Sequence, residues 1–517
     1  MAKDKNKYGQ YMTPEIIANF MVSIADLNKT SKILEPCSGQ GVFLDALKKQ
    51  GYKDITAYEI DSSIVKPEDN VKIASFVSAP IKENYDLIIG NPPYIRWKNL
   101  EAELKNELAE NHLWNSYCNS LCDYSCVFMI KSIELLKENG QLIFITPEYW
   151  LNTTHSLMMR NYMLENGYFE KIFHFNETPI FEDASVSTII FKYVKSKSKK
   201  PKNIDVVKYF LNRKLNENIL ENIKIKNNQD NCEHITIPQF EKDKRWLLAS
   251  TETINELNIF EEHCKKEKGS NEFYTVKDIC DIGNGLVSGL DKAFQVENIA
   301  LNKEEEKQTI KVMKGKNLSP FYHGSTTKYI FTENIKDEKE LKAKLPNFYK
   351  HLQEYKDDLE KRYQYNRHIN YWEWVFLRNL KLFSKDTQKI FVPCKERISN
   401  KDYFRFSLVD SGIYPTQDVT AIVKKDSVKE SIYYILALLN HKMVFDWLKY
   451  NGIVKGNIVE FSEKPIASIP FRRIDFSKKE EIDKHDKITQ LTKEYIKTKK
   501  DSDRDKINIE ISKLFNN

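Results

Sequence analysis

Short apolar runs alternate with amphipathic segments through about residue 150. Residues 16–22 follow Thr13-Pro14-Glu15 and predict a helix, with Thr13 as its N-cap and Pro14 in the first helical position. Residues 31–34 predict a buried strand and residues 42–49 a second helix. Residues 54–58, 85–89 and 141–145 predict three more strands, and 171–175 and 187–193 two further ones. Strand–helix alternation of this kind predicts an α/β domain built on a parallel sheet, Rossmann-like in layout.

The pattern then changes. Residues 195–202 are polar and basic, without a large apolar side chain, and predict a loop or linker; residues 226–233 are again polar. From about Trp246, Gly, Tyr and Trp cluster in short motifs and the alternation is lost. The expected division is a first domain over 1–245, a mixed α+β second domain over 246–475, and a charged helical segment over 476–517, where Ile488, Leu491 and Tyr495 keep helical spacing.

Composition narrows the class. With 41% hydrophobic and 12% aromatic residues the chain can fill packed cores, which excludes a wholly disordered protein. No apolar run approaches the roughly 20 residues needed to span a bilayer, so no membrane partner is expected. The basic start at residues 1–7 has no apolar stretch behind it, and eight cysteines are too sparse for a disulfide framework, so a reduced, cytoplasmic protein is expected. The net charge of +6 permits a nucleic-acid partner without requiring one.

Two segments carry chemistry. In Ile33-Leu34-Glu35-Pro36-Cys37-Ser38-Gly39-Gln40-Gly41, glycines 39 and 41 fall between a strand and a helix, where they allow a tight turn and close approach to a ligand. Glu59 lies 24 positions after Glu35, at the end of the next strand, as suits a carboxylate that accepts from ribose hydroxyls. Position 44 is leucine, so no full GxGxxG is present; a nucleoside without a pyrophosphate, such as S-adenosylmethionine, fits better than a dinucleotide. The alternative is an ordinary strand–loop–helix turn. The second segment is Gly90-Asn91-Pro92-Pro93-Tyr94 after a buried strand. The prolines make the turn rigid and remove donors. The Asn91 side-chain oxygen and the Pro92 carbonyl could accept both protons of a planar exocyclic amine and free its lone pair, while Tyr94 stacks on the ring. The alternative here is a structural Pro-Pro turn.

Together these segments resemble the gamma-class N6-adenine DNA methyltransferases of type II restriction–modification systems, the TaqI-like family. Thr13-Pro14-Glu15 resembles the family's N-terminal cofactor motif, Glu35 to Gly41 its first sheet motif and Asn91-Pro92-Pro93-Tyr94 its catalytic tetrapeptide. Asp123-Tyr124, the run from Gly140 to Pro147, and Phe181 extend the match. Gly283 to Gly289, Trp372-Glu373-Trp374 and Lys389 to Pro393 carry it into the second domain, a target-recognition domain in that family.

The resemblance implies S-adenosylmethionine as cofactor and double-stranded DNA as partner, with or without a separately encoded restriction endonuclease. Thr13 and the loop of Glu35, Pro36, Cys37, Gly39 and Gly41 would hold the methionine end, with Tyr11 and Asn91 also on the cofactor side. Glu59 would bind the ribose, and Ile60 would pack on the adenine. Asn91, Pro92, Pro93 and Tyr94 would form the catalytic turn, with Tyr94 and Phe181 sandwiching a base flipped out of the duplex. The family often has an acidic residue, which binds the cofactor's adenine amine, where this chain has Ser75 before Phe76. Serine can do this only weakly, although Phe76 can still stack.

In the second domain, Gly285 and Ser288 of the glycine-rich stretch, Lys316, and Arg362 and Arg367 of the cluster at 361–367 are the expected DNA contacts; each cluster could equally be a solvated face. Cys118, Cys122 and Cys126 recur at helical spacing and read as one packed helix face; no metal ligand set is expected. Trp372-Glu373-Trp374 reads as core. A monomer is expected, because an asymmetric two-domain clamp can enclose DNA alone. Two other readings compete: a protein-glutamine N5-methyltransferase, which uses the same tetrapeptide on a side-chain amide but lacks so large a second domain, and a DNA-binding protein with a vestigial methylase fold, which the intact Asn91 and Tyr94 oppose.

Overall fold

Strand positions alternate between two apolar clusters, and this alternation builds the first half of the protein. Its strands are β1 (Ile33–Glu35), β2 (Ile55–Glu59), β3 (Val71–Ile73), β4 (Tyr85–Gly90), β5 (Leu136–Pro147), β6 (Gly167–His174), β7 (Thr188–Lys195), β8 (Asn203–Tyr209) and β9 (Cys232–Pro238). The computed structural model describes residues 8–515 except 177, 182–186, 199–200, 212, 226–230, 271, 298, 333, 364–366, 399–400 and 456–457. Residues 1–7, Lys199 and Lys200 of the basic stretch, 226–230 of the second polar stretch, and Gln364, Tyr365 and Asn366 of the cationic cluster thus lie outside the described residues.

The nine strands form one sheet in the order β3-β2-β1-β4-β5-β7-β6-β8-β9. β3, β2, β1, β4 and β5 run parallel. β7 inserts antiparallel between β5 and β6. Leu34, Ile88, Leu142 and Phe144 point into one core. Their neighbours Ile33, Leu87, Ile89, Ile143 and Ile145 point into the other. A strand buried on both faces reads as an unbroken apolar run, which is why these strands were visible in the sequence. β9 was not: its residues Cys232-Glu233-His234-Ile235-Thr236-Ile237-Pro238 are polar enough to pass for a loop, and it pairs only with β8 at the sheet's edge.

Helices α1 (Glu15–Ser23) and α2 (Val42–Lys49) cover one face through Ile17, Phe20, Met21, Phe43 and Leu47. The other face carries α3 (Ala102–Glu110), α4 (His112–Tyr117) and α5 (Ser125–Leu135). Each buried Ile, Phe or Met stabilises the fold by about 1.5–3 kcal/mol. Two local expectations are corrected. Thr13 does not cap α1: the helix begins at Glu15 with Pro14 in the cap position and no side-chain cap bond. Cys118, Cys122 and Cys126 do not share one helix face, because Cys118 ends α4, Cys122 lies in the connection and only Cys126 is helical.

The chain divides into two compact units, Met1–Ile254 and Asn255–Asn517. Trp246 packs into the first unit's core, with its ring stacked on Phe240 at 4.5 Å, so the division falls beyond Trp246 rather than at it. The second unit holds a four-stranded sheet of Cys280–Asn284, Val419–Lys424, Lys389–Pro393 and Ser407–Val409, in that order, and two three-stranded sheets. Trp372 and Trp374 are buried in its core, where the Trp374 indole donates to the Ile330 carbonyl at 2.9 Å. Helices Lys479–Thr498 and Asp501–Ser512 form at the carboxyl end and bury Ile488, Leu491 and Tyr495. Among the described residues, no helix is long and apolar enough to cross a membrane.

Candidate active site

Strand order reverses between β1 and β4, and ligands of open α/β sheets bind at the carboxyl ends of the strands beside such a switch. A cleft opens there. Tyr11, Thr13, Pro36, Cys37, Gly39, Glu59, Ile60, Ser75, Phe76 and Asn91 line it, which brings together most of the residues picked out in the sequence. Glu35 and Gly41 lie outside this lining. Sequence reasoning missed Tyr8, Gln10, Leu104 and Phe128, which carry no motif and reach the wall only through folding.

The two glycines serve different ends. Gly39 has φ +54° and nothing within 4 Å of where a Cβ would stand, so the cleft continues over its backbone. Gly41 has φ +80° and begins α2; a Cβ there would meet the Asp69 carboxylate at 2.5 Å, so its own chain, rather than a ligand, requires the glycine.

Glu59 is held by backbone donors. Its Oε1 accepts from Ile60 N at 2.9 Å, Asp61 N at 3.0 Å and the Gln10 amide at 3.1 Å, and its Oε2 accepts from Gly39 N at 2.8 Å. Glu35 is fully buried, and neither of its carboxylate oxygens has a hydrogen-bond partner. Burial, and then the neighbouring Glu59, pushes its carboxyl well above the usual range. Phe76 is anchored from behind by Phe128, with centroids 5.2 Å apart. The Lys131 amine donates to the carbonyls of Val77 at 2.9 Å and Ala79 at 2.7 Å and lies over the Phe76 ring. Burial lowers this amine to about 8.

Asn91 faces the cleft directly after β4. Its amide nitrogen donates to the Tyr11 carbonyl at 2.8 Å and to the Thr13 hydroxyl at 3.0 Å. These two bonds fix which way the amide points, and its oxygen is left buried without a partner. Thr13 thus orients Asn91 instead of capping a helix. The Cys37 thiol donates to the Asn91 carbonyl at 3.1 Å, which ties the two motifs together. Pro93 joins the lining. The Tyr94 hydroxyl, pushed up by burial, keeps its proton and donates to the Ile145 carbonyl at 2.6 Å.

Tyr94, Phe181 and Tyr11 form an aromatic trio. Tyr11 stacks on Tyr94 at 5.5 Å and lies 5.8 Å from Phe181; Tyr94 and Phe181 are 6.1 Å apart at 68°. A ring sandwiched at van der Waals contact needs its two neighbours about 7 Å apart and near parallel. In this arrangement Tyr94 and Phe181 hold no base between them, because their rings are too close and too steeply inclined to one another. The expected sandwich therefore requires a ring to move. Asp123 accepts from the Tyr149 hydroxyl at 2.6 Å and from Ser125 N at 3.1 Å, which fixes the turn that carries Tyr124 into the cleft wall.

The expected DNA contacts of the second unit fare unevenly. A Cβ on Gly285 would meet the Thr416 carbonyl at 2.1 Å, so the close approach is internal. Ser288 is buried and donates to Asp291 at 2.5 Å. The Arg362 guanidinium donates to the carbonyls of Ser288 at 2.9 Å, Asn370 at 2.8 Å and Glu373 at 2.6 Å, and Arg367 donates to Val375 O. Arg362 staples the 285–291 loop and the 370–376 segment together, which corrects its reading as an open cation, whereas Arg367 is exposed and is tied to the second of these segments. Lys316 is exposed.

Known proteins resemble this chain along nearly its whole length. Residues 11–181 match the family model of the Eco57I restriction-modification methylase. The chain is 47% identical over 518 residues to the type II methyltransferase M.HindII of Haemophilus influenzae, covering 99% of this chain and 98% of that protein. It is 46% identical over 510 residues to M.HincII of Haemophilus influenzae, with 99% and 98% covered. Among solved structures, the Type IIL restriction-modification enzyme MmeI in complex with DNA shares the fold at TM-score 0.57 and 12% identity, covering 97% of this chain and 72% of that one. A relative this similar over its whole length, with the methylase model falling on the residues that build the cleft, establishes that the chain belongs to the type II methyltransferases of restriction–modification systems.

Proposed function

We propose that this methyltransferase transfers a methyl group from S-adenosylmethionine to the N6 amine of an adenine flipped out of duplex DNA, with the first unit carrying the chemistry and the second contacting DNA. The observation that carries the reading is the Asn91 amide: both of its donor bonds are spent on Tyr11 and Thr13, and its oxygen is buried without a partner beside the aromatic trio. An acceptor fixed in this way suits one proton of an exocyclic amine, and the Pro92 carbonyl would take the other. Accepting both protons favours a pyramidal nitrogen whose lone pair is available for attack.

The donor set of the cleft fits a cationic nucleoside. Glu59 Oε2 keeps a lone pair for a ribose hydroxyl. Phe76 offers an aromatic face, and the open backbone at Gly39 leaves room for a chain passing over it. When bound, the sulfonium supplies an electrophilic methyl group. Asn91 and Tyr94 would hold the amine in line with that methyl group, with the Asn91 oxygen and the Pro92 carbonyl accepting its two protons. Positioning supplies much of the rate. Flipping costs a few kcal/mol of stacking and pairing, and stacking on Tyr94 and Phe181 offsets about 1–3 kcal/mol per ring.

The test is incubation with labelled S-adenosylmethionine and mixed-sequence duplex DNA, with Asn91→Ala as control, followed by digestion to nucleosides. Label in N6-methyladenine, absent in the control, supports the reading. Label in protein and none in DNA would move the function to the glutamine methyltransferases.

A further inference from the structure

In the second unit one apolar run continues past the edge of the core. Tyr371, Trp372, Trp374 and Val375 are buried, but the next two residues, Phe376 and Leu377, stand 42% and 40% exposed, and Arg378 follows them. A single exposed apolar residue is ordinary; two in succession beside a cation mark a surface that something covers. The backbone that carries them is pinned. Phe376 and Val287 exchange both main-chain hydrogen bonds at 3.0 Å in an antiparallel pair. Side chains extend the same register: Arg378 Nε donates to the Gly285 carbonyl at 2.7 Å, and the Asn379 amide donates to the Asn284 carbonyl at 3.1 Å. Held at Nε, the Arg378 guanidinium keeps both Nη amino groups unspent among the described residues. That fork fits two acceptors lying side by side. Arg367 and Lys381 flank the run and are exposed, and among the described residues no carboxylate pairs with either of them or with Arg378.

We propose that Phe376, Leu377 and Arg378 form a ledge that contacts duplex DNA. The Arg378 fork takes a pair of neighbouring acceptors, either phosphate oxygens or the O6 and N7 of a guanine, and the apolar pair packs against the bases beside them. The inference deepens the reading of the second unit as the DNA-contacting one and rests on it. Charge selects the occupant. A protein covering this apolar pair would have to answer three unpaired cations at its rim. Duplex DNA carries anionic oxygens at every step, and its grooves offer thymine methyls and base steps to apolar side chains. Rigidity points the same way: a run pinned through Val287, Gly285 and Asn284 meets the duplex already ordered, so contact costs little conformational entropy.

The test is a salt titration of the affinity of the full chain, by fluorescence anisotropy, for a labelled duplex carrying a site that the protein itself methylates, identified by sequencing treated DNA. Arg378→Ala should weaken binding about tenfold. If the fork grips phosphate, the salt slope falls by about one; if it grips a guanine, the slope holds and the preference for that base is lost. Arg378→Lys keeps the charge without the fork, so it should recover only part of the affinity. Phe376→Ala and Leu377→Ala should each weaken binding severalfold at every salt concentration, with the slope and the thermal melt of the protein unchanged. Wild-type affinity in all three alanine variants overturns the ledge and leaves DNA contact to other residues of the second unit. Wild-type affinity together with a changed mass in sedimentation hands the surface to a protein partner instead. Should the wild type methylate no DNA, no such duplex exists, and the reading of the function falls with the ledge.

Discussion

Thr13→Val separates two roles for one hydroxyl. If Thr13 capped α1, losing its hydroxyl would cost about 1 kcal/mol of stability and lower the melting temperature. The structure gives it no cap bond and a different task, that of accepting from the Asn91 amide at 3.0 Å. Valine keeps the shape and removes only this bond. The second bond, to the Tyr11 carbonyl at 2.8 Å, survives, so the amide is loosened rather than freed. A net hydrogen bond of about 1 kcal/mol corresponds to about a fivefold fall in the chemical step. Asn91→Ala removes the acceptor itself and should cost about 10²–10³-fold, as the loss of one preorganised transition-state partner does. The assay is single-turnover methyl transfer to duplex DNA with labelled cofactor, run beside a thermal melt. Thr13→Val should slow transfer about fivefold and cost no more than about 1 kcal/mol of stability, and Thr13→Ser should recover most of the rate. An unchanged rate with a lowered melt would refute the reasoning and return Thr13 to the cap.

Glu35 gives a pH signature. Its folded value is raised above its unfolded one, so its contribution to stability is fully present below the ordinary carboxylate value and is lost as pH rises through the folded one. Glu35→Gln should flatten that fall in a melt-against-pH series, and the wild type should release a proton on binding the cationic cofactor, seen as buffer-dependent binding heats. Arg362→Gln should lower the melting temperature of the protein and leave the salt slope of DNA binding unchanged, because its guanidinium is spent on three carbonyls, whereas Lys316→Gln should reduce that slope by about one in a salt titration of affinity. Lys131→Met should remove one donor from each of the Val77 and Ala79 carbonyls and weaken cofactor binding severalfold by calorimetry, with Lys131→Arg recovering part of it.

The first unit was legible in the sequence because its chemistry sits where periodicity breaks. A buried strand that stops at Glu35, Glu59 or Gly90 announces a carboxyl end, and the sheet order then gathers those ends into one cleft. What was not legible was partnership. Thr13 before a proline reads as a cap until Asn91 is seen beside it. Gly285 and Arg362 read as nucleic-acid contacts because a close backbone approach and an unpaired cation look alike whether the partner is DNA or the chain's own carbonyls. Glu107 carries no motif at all, and only the register of α3 against the turn before α5 gives it the Tyr124 hydroxyl.

Tyr11 joins two jobs at one position, and its backbone and side chain divide them. The carbonyl holds Asn91, while the ring lies on Tyr94 and covers a face on which an incoming base would stack. Rotation about the side-chain bonds can clear that face and leave the carbonyl where it is. Admitting the base then resembles a change of occupant: one aromatic ring leaves the stack as another enters, and little apolar surface is exposed in between. Asn91 would stay aimed throughout.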